Sequence, residues 1–309
     1  MNENVQTVET MQAAVVNGFG GPEQVEIVQV PVPRPEAGQV RIRVAAAGVN
    51  PVDGAVRVGV FGGAGQTLGL GWDVAGEIDA VGAGVTGWSV GQRVVGLHYG
   101  PVKPLGTHAE YAVLDASAVA AAPTAVDAVA AAGLPLSGLT AGRAVGLLGL
   151  APGSSVLITG AAGVVGGLAV QLAVRAGLVV TALAGEADEE FVRSLGATGF
   201  VPRGSAPAEP VDGVLDAAVL GEPALGFVRD GGVYVGLRPH AGPAPERGIR
   251  VVEQEVAADG AHLAELVGLV DAGALTLRVA QTIALADAAK AHALLAEPGT
   301  RGRLVLTAS

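Results

Sequence analysis

Ser154–Gly167 reads S-S-V-L-I-T-G-A-A-G-V-V-G-G, and its order of residue types specifies a strand, a turn and a helix. The apolar run Ser155–Thr159 has the length and composition of a buried strand. Gly160, Gly163 and Gly166 follow at a spacing that lets the backbone turn tightly and come close to an anion. Behind them Val164–Ala176 places Val165, Leu168, Ala169, Leu172, Ala173 and Ala176 on one apolar stripe of a helix. The start of that helix offers unpaired N–H groups and the positive end of its dipole. A pyrophosphate suits such a cradle, so the segment predicts dinucleotide binding by Gly160, Ala161, Ala162, Gly163, Val164, Val165 and Gly166. In a chain with 48 glycines a plain tight turn is the alternative, and the strand–turn–helix context argues against it.

Further along, strands and helices alternate. Leu178–Leu183 is a strand, Asp188–Leu195 a helix, and Val211–Leu215 and Val233–Leu237 are strands, an order that predicts a parallel, doubly wound sheet. Asp259–Ala272 is a further helix, with Asp259 as its N-cap and Gly273 as its stop. Before about Ala118 the pattern differs. Met11–Asn17, Val25–Val30, Val40–Ala46, Val74–Val81 and Gln92–Gly96 read as strands separated by Pro and Gly turns. The last strand, Arg303–Thr307, is expected to return to this β-rich unit. The fold class is therefore α/β, with a β-rich domain over 1–118 and 281–309 and a dinucleotide-binding domain over 119–280.

The 309 residues suffice for two domains, and a 50% hydrophobic content supports a large core. A net charge of −11 with scattered basic residues disfavours nucleic acid as a partner. Cysteine is absent, which removes thiolate nucleophiles, disulfides and cysteine-ligated metals and fits a reducing cytoplasm. Met1–Thr10 is polar and lacks the basic-then-apolar pattern of a signal peptide, and no apolar run reaches membrane-spanning length.

Cofactor choice turns on the end of the second strand of the parallel sheet. The stretch there is Ala182-Leu183-Ala184-Gly185-Glu186, so no carboxylate stands at the strand end to hold an unphosphorylated ribose. Glu186 lies just beyond. Arg203, after the third strand, is the candidate for a 2′-phosphate, with an exposed, solvated arginine as the alternative. NADPH is the expected cofactor along Ala184, Gly185 and Arg203, and NADH remains open.

Seven segments in order resemble the medium-chain dehydrogenase/reductase superfamily, in its zinc-free quinone-oxidoreductase (zeta-crystallin-like) branch. They are G-V-N-P-V-D (Gly48–Asp53), G-W-D-V-A-G-E-I-D-A-V-G-A-G-V (Gly71–Val85), G-T-H-A-E-Y (Gly106–Tyr111), L-P-L-S-G-L-T-A (Leu134–Ala141), A-A-G-V-V-G (Ala161–Gly166), L-V-D-A-G (Leu269–Gly273) and T-R-G-R-L-V-L (Thr300–Leu306). The resemblance implies a GroES-like β domain interrupted by a Rossmann domain, and pairing into a homodimer. It implies that Asn50 and Thr140 lie beside the nicotinamide, that Gly236 and Leu237 pass it, and that Arg303 lies near the cofactor. A turn-stabilising role is the alternative for Asn50 and Thr140, and a surface ion pair for Arg303.

The zinc-binding His-Glu pair of the superfamily's alcohol dehydrogenases corresponds here to Trp72 and Asp73, so no zinc is expected. Of the five histidines, His262 and His292 are expected to be surface or packing residues on helices. His98 and His108 are read as approaching the cleft, where a catalytic role is considered for either. Without a metal Lewis acid a simple ketone is hard to polarise, whereas a quinone or α,β-unsaturated carbonyl spreads the incoming charge itself. The expected reaction is hydride transfer from NADPH to such a small-molecule acceptor. A non-catalytic NADPH-binding sensor or structural protein is the alternative. Asn50, Phe61 and Tyr99 are the candidate catalytic residues, Phe61 as a flat stacking surface or a core aromatic. Gly54 and Ala55 are expected to widen the pocket, and water, Tyr99 or Lys103 to supply the proton.

Overall fold

Alternation along the strand Gln39–Val49 builds the first core. Val40, Ile42 and Val44 are buried, while Arg41 and Arg43 face the other way and pair with Asp79 at 2.8 Å and Glu77 at 3.1 Å on the neighbouring strand. The computed structural model describes residues 9–297 and 299–308. The first eight residues, including most of the stretch read as no signal peptide, lie outside the described residues.

The strands in this part of the chain are β1 (Thr10–Val16), β2 (Val25–Pro31), β3 (Gln39–Val49) and β4 (Leu68–Gly69). They are followed by β5 (Asp73–Val81), β6 (Arg93–Leu97), β7 (Tyr111–Asp115) and β8 (Val119–Ala121). The short helix α1 (Pro51–Arg57) lies between β3 and β4, and α2 (Ala128–Ala131) follows β8. A three-stranded sheet has the order β2-β1-β4, and β3 pairs antiparallel with both β5 and β7.

The second unit begins with α3 (Pro135–Leu148). Its strands are β9 (Ser155–Thr159), β10 (Val179–Ala184), β11 (Gly199–Pro202), β12 (Val211–Asp216), β13 (Val228–Gly236) and β14 (Arg250–Glu253). Its other helices are α4 (Val164–Arg175), α5 (Glu189–Ser194) and α6 (Glu222–Leu225). All neighbouring strands are parallel, in the order β11-β10-β9-β12-β13-β14. This is the doubly wound Rossmann arrangement. Its order reverses between β9 and β12, and a ligand crevice forms outside the carboxyl ends of strands at such a point. Leu157, Val214, Leu225, Val228 and Tyr234 fill the core on one face.

The chain then adds α7 (Gly260–Asp271), β15 (Val279–Ala284), α8 (Ala288–Ala296) and β16 (Arg303–Thr307). β16 runs antiparallel to β3 and parallel to β15, so the terminal strand returns to the first unit as its sequence suggests. The complete sheet there has the order β15-β16-β3-β5-β6-β8, with β7 branching from β3.

The observed division differs from the expected 1–118, 119–280 and 281–309. The β-rich unit comprises 1–135, 258–271 and 278–309, and the parallel-sheet unit 136–257 and 272–277. β8 belongs to the first unit because it hydrogen-bonds to β6. Helix α7 joins it because Gly260 lies against the backbone of Ser117 and Val119. A Cβ at position 260 would come within 2.4 Å of the Val119 carbonyl oxygen. Asp259 caps this helix by accepting from the N–H of His262 at 3.0 Å, and Gly273 follows it with φ +68°. Among the described residues no helix is long and apolar enough to cross a membrane.

Candidate active site

In the parallel-sheet unit the turn after β9 tolerates nothing larger than glycine at two positions. Gly160 has φ +59°, a left-handed conformation that disfavours a side chain. Gly166 lies in the first turn of α4, and a Cβ there would sit 2.1 Å from the Gly160 carbonyl oxygen. Gly163 is the N-cap of α4, and Val164 and Val165 open the helix. Ala161 is fully buried and Ala162 lines the space above the turn. A backbone cradle of this kind fits a dinucleotide pyrophosphate, the group predicted from the sequence.

A cavity of about 600 Å³ opens beside the cradle, lined by Gly160, Gly163, Ala184, Arg203, Ser205 and Phe227 among others. Arg203 reaches this wall because its N–H donates to the Ala184 carbonyl at 2.7 Å, tying the end of β11 to the end of β10. Gly185 follows β10 directly, and Glu186 beyond it is exposed in a short turn. On the other side of the sheet centre Gly236 ends β13, accepts from the N–H of Gln254 at 2.9 Å and is followed by Leu237. Thr140 sits on α3 with only 8% of its surface exposed.

Sequence reading missed a buried network at the same end of the sheet. The Asp216 carboxylate, fully buried at the end of β12, accepts from the Thr159 hydroxyl at 2.6 Å and the Tyr234 hydroxyl at 2.7 Å. It also accepts from the N–H of Gly221 at 2.9 Å, and Thr159 accepts from the N–H of Ala218 at 2.9 Å. Burial first, and the carboxylate second, push the Tyr234 phenol above its ordinary range. These bonds pin the loop 217–221, which carries the pocket-lining Ala218 and Leu220 and the left-handed Val219. The available signal was a Thr and an Asp ending two adjacent parallel strands, where crevices form.

The β-rich unit holds a second cluster of buried polar groups. Asn50 is fully buried as the N-cap of α1, and its side-chain NH₂ donates to Asp73 at 2.9 Å. Asp53 accepts from the N–H of Asn50 at 2.8 Å and from the N–H of Gly71 at 2.9 Å, bracing α1 against the start of β5. Gly71 has φ +97° and no room for a Cβ beside His108 and Thr107. Two buried cations, Lys103 and Arg303, interact with both the Asp53 and the Asp73 carboxylate, while Arg57, also buried, donates to the Gly20 carbonyl at 3.0 Å. Arg303 donates to the Val49 carbonyl at 2.8 Å, and burial lowers its affinity for the proton despite Asp73 and Asp53. It is 4% exposed, which removes the surface ion-pair alternative.

The Lys103 ammonium donates to the His98 carbonyl at 2.7 Å and lies 4.6 Å from the centre of the Trp72 ring. Burial pulls its pKa down to about 7, against the opposing pull of Asp53 and Asp73. Tyr99 meets the same Trp72 ring edge-on at 5.6 Å and is 44% exposed. Phe61 is 44% exposed after α1, among glycines of positive φ, so the core-aromatic alternative fails. The expectation for Gly54 also needs correcting. A Cβ there would touch Leu295 of α8 at 3.7 Å, so the missing side chain faces a helix and does not widen a pocket.

The residues here do not suit zinc. Trp72 has no ligating atom and a buried ammonium already faces its ring. Among the described residues no three His, Asp or Glu side chains converge on one point. His108 is buried with Nε2 3.1 Å from the Gly48 carbonyl, and His292 is buried in α8. Burial above all pushes His292 down to about 4 and His98 to about 3, so both are neutral at pH 7.

Two family models match the chain, the alcohol dehydrogenase GroES-like domain over residues 36–124 and the zinc-binding dehydrogenase over 186–306. The chain is 37% identical over 230 residues to a chloroplast envelope quinone oxidoreductase homolog of Arabidopsis thaliana, covering 68% of this chain and 67% of that one. The chain belongs to the medium-chain dehydrogenase/reductase superfamily, quinone-oxidoreductase branch. Another member, the NADPH-dependent alkenal/one oxidoreductase of the same plant, is 32% identical over 277 residues, covering 85% of this chain and 70% of its own. The solved quinone oxidoreductase of Coxiella burnetii superposes with a TM-score of 0.88 at 27% identity, over 97% of this chain and 100% of that one. This medium-chain reductase is accordingly an oxidoreductase with a nicotinamide cofactor, and its first unit is the GroES-like domain.

Proposed function

We propose that this protein takes hydride from NADPH and passes it to a quinone or to the conjugated double bond of an α,β-unsaturated carbonyl compound, without zinc. The observation that carries the reading is the Trp72–Lys103 pair. By the resemblance Trp72 corresponds to the histidine of the alcohol dehydrogenases' zinc-binding His-Glu pair, and here the Lys103 ammonium lies 4.6 Å from the centre of that non-ligating ring. A conjugated acceptor needs little more than positioning and a nearby positive charge, because its own π-system spreads the charge of the hydride. Preference for the phosphorylated cofactor is supported by Arg203, Gly204 and Ser205 on the cavity wall and by the absence of a carboxylate at the Ala184 end of β10. The nicotinamide cofactor supplies the two electrons. The chain's part is to hold its pyrophosphate on Gly160–Gly166 and to position the acceptor against the nicotinamide.

The test is the loss of NADPH absorbance with purified protein and a panel of cyclic and open-chain enones and benzoquinones, with NADH in parallel. Turnover with NADPH favoured at least about tenfold is expected, an amount equal to one charge-assisted contact of about 1.4 kcal/mol. Tight cofactor binding with no turnover of either acceptor class would overturn the reading.

A further inference from the structure

We propose that Tyr234 is a positioning residue for the cofactor: through Asp216 it holds the loop 217–221 as a wall for the adenosine half of the dinucleotide. The inference rests on the dinucleotide reading of the cavity beside Gly160. The loop is unusual in how it is held. Ala218, Val219 and Leu220 are all exposed, so core packing does not fix them. Val219 nonetheless adopts φ +55°, a left-handed conformation that a β-branched residue takes only under strain, and Gly221 follows at φ +70°. Such strain persists where surrounding bonds over-determine the backbone, and it gathers at ligand sites. Two side chains supply those bonds. Thr159 at the end of β9 accepts from the Ala218 N–H at 2.9 Å, and Asp216 at the end of β12 accepts from the Gly221 N–H at 2.9 Å.

Tyr234 stands behind this pair without lining the cavity. Its hydroxyl donates at 2.7 Å to Asp216 Oδ2, the oxygen that also receives the Gly221 N–H, while Thr159 donates to Oδ1 at 2.6 Å. The Tyr234 ring is buried and packs beside Gly236, where a Cβ would come within 3.2 Å of Cε1. A hydroxyl fixed in this way fixes the carboxylate, and the carboxylate fixes the loop. Removing it leaves Oδ2 with one donor in a place closed to water, so the carboxylate is free to turn. The loop presents Ala218 and Leu220 to the cavity, and Leu183, Pro223 and Phe227 continue the apolar lining. With the backbone cradle and Arg203 on the same cavity, that lining suits a flat purine carried on its ribose.

The experiment titrates 2′,5′-ADP and 5′-ADP calorimetrically into the wild type, Tyr234→Phe and Val192→Ala, with thermal melting of each and amide hydrogen exchange over 217–221. Val192 is fully buried in α5 and outside the network, so its truncation lowers the melting temperature without touching the loop. Tyr234→Phe should lose about tenfold in affinity for both nucleotides, the effect of one buried hydrogen bond. The loss should be equal for the two, because the 2′-phosphate belongs to Arg203 and not to the loop. Exchange at Ala218 and Gly221 should quicken in Tyr234→Phe alone. Val192→Ala should melt lower and bind both nucleotides as the wild type does. The inference is overturned if folded Tyr234→Phe binds both nucleotides as tightly as the wild type. It is equally overturned if Val192→Ala loses as much affinity, since general destabilisation then explains the effect. A wild type that binds neither nucleotide contradicts the dinucleotide reading itself and takes the inference with it. Equal wild-type affinity for the two nucleotides contradicts only the preference for the phosphorylated cofactor, and the tenfold loss in Tyr234→Phe still upholds the inference.

Discussion

The glycine turn after β9 and the polar cluster beneath Trp72 prepare the protein for charge in opposite ways. At the turn the charge belongs to the ligand, and the chain answers with backbone. Gly160, Gly163 and Gly166 remove side chains, which leaves N–H groups and a helix dipole open to the pyrophosphate of the proposed cofactor. Around Asp53 and Asp73 the charges belong to the protein itself, brought together from α1, β5, β16 and the loop carrying Lys103. The first arrangement is local, so a change of one residue blocks it. The second is a balance among distant groups, and changing one member shifts the titration of the others.

The sharpest way to break the first arrangement is Gly166→Val. Its Cβ would fall 2.1 Å from a backbone oxygen that cannot move without opening the turn. NADPH affinity measured by fluorescence titration should drop by at least about 100-fold, or about 3 kcal/mol. Unchanged affinity would show that the cradle does not hold the pyrophosphate. Asp216→Asn probes the network that shapes the neighbouring loop. The amide keeps one acceptor but sets an NH₂ against either the Thr159 or the Tyr234 hydroxyl, which now donate to opposite oxygens of the carboxylate. A stability loss of about 2–3 kcal/mol is expected by thermal or urea unfolding, partly recovered by added cofactor.

The second arrangement is sharpened by pH. Unfolded, His292 accepts a proton near its ordinary 6.5; folded, it resists until about 4, because burial outweighs Asp53, with His108 and Arg57 adding to the resistance. Stability from this residue is therefore complete above about 6.5, falls as the pH drops toward 4, and then levels off. The full loss is about 3 kcal/mol. His98 adds to the same acid limb. Urea unfolding of His292→Leu should show a shallower dependence between those pH values, and an unchanged slope would contradict the assignment. The smallest effect is expected at Arg203→Ala, which should weaken NADPH by about tenfold while leaving NADH within about twofold, as for one lost charge-assisted bond.

How far the sequence revealed each region follows from the same contrast. Ser154–Gly167 carries its strand, turn and helix within fourteen consecutive residues, and β9 and α4 stand where their periodicity puts them. The return of Arg303–Thr307 to the β-rich unit is also legible, since a buried apolar strand must find a sheet. Helix α7 is not. Its place in chain order suggests the parallel-sheet unit, and only the close approach of Gly260 to the Ser117 and Val119 carbonyls assigns it to the other. Gly54 misleads for a similar reason, because a missing side chain does not disclose that Leu295 stands opposite. Lys103 is a single charged residue in a Gly- and Pro-containing loop, and nothing nearby in sequence shows that it folds onto Trp72. Asp216 and Tyr234 lie 18 residues apart on adjacent strands, and their bond depends on sheet order.

The reduction proposed for this protein runs without zinc. It is tested most directly by measuring enone-dependent NADPH oxidation before and after exhaustive chelation, alongside the metal content of the same samples. Full turnover with zinc far below one equivalent per chain is the predicted result. Loss of activity on chelation, restored by added zinc, would contradict it.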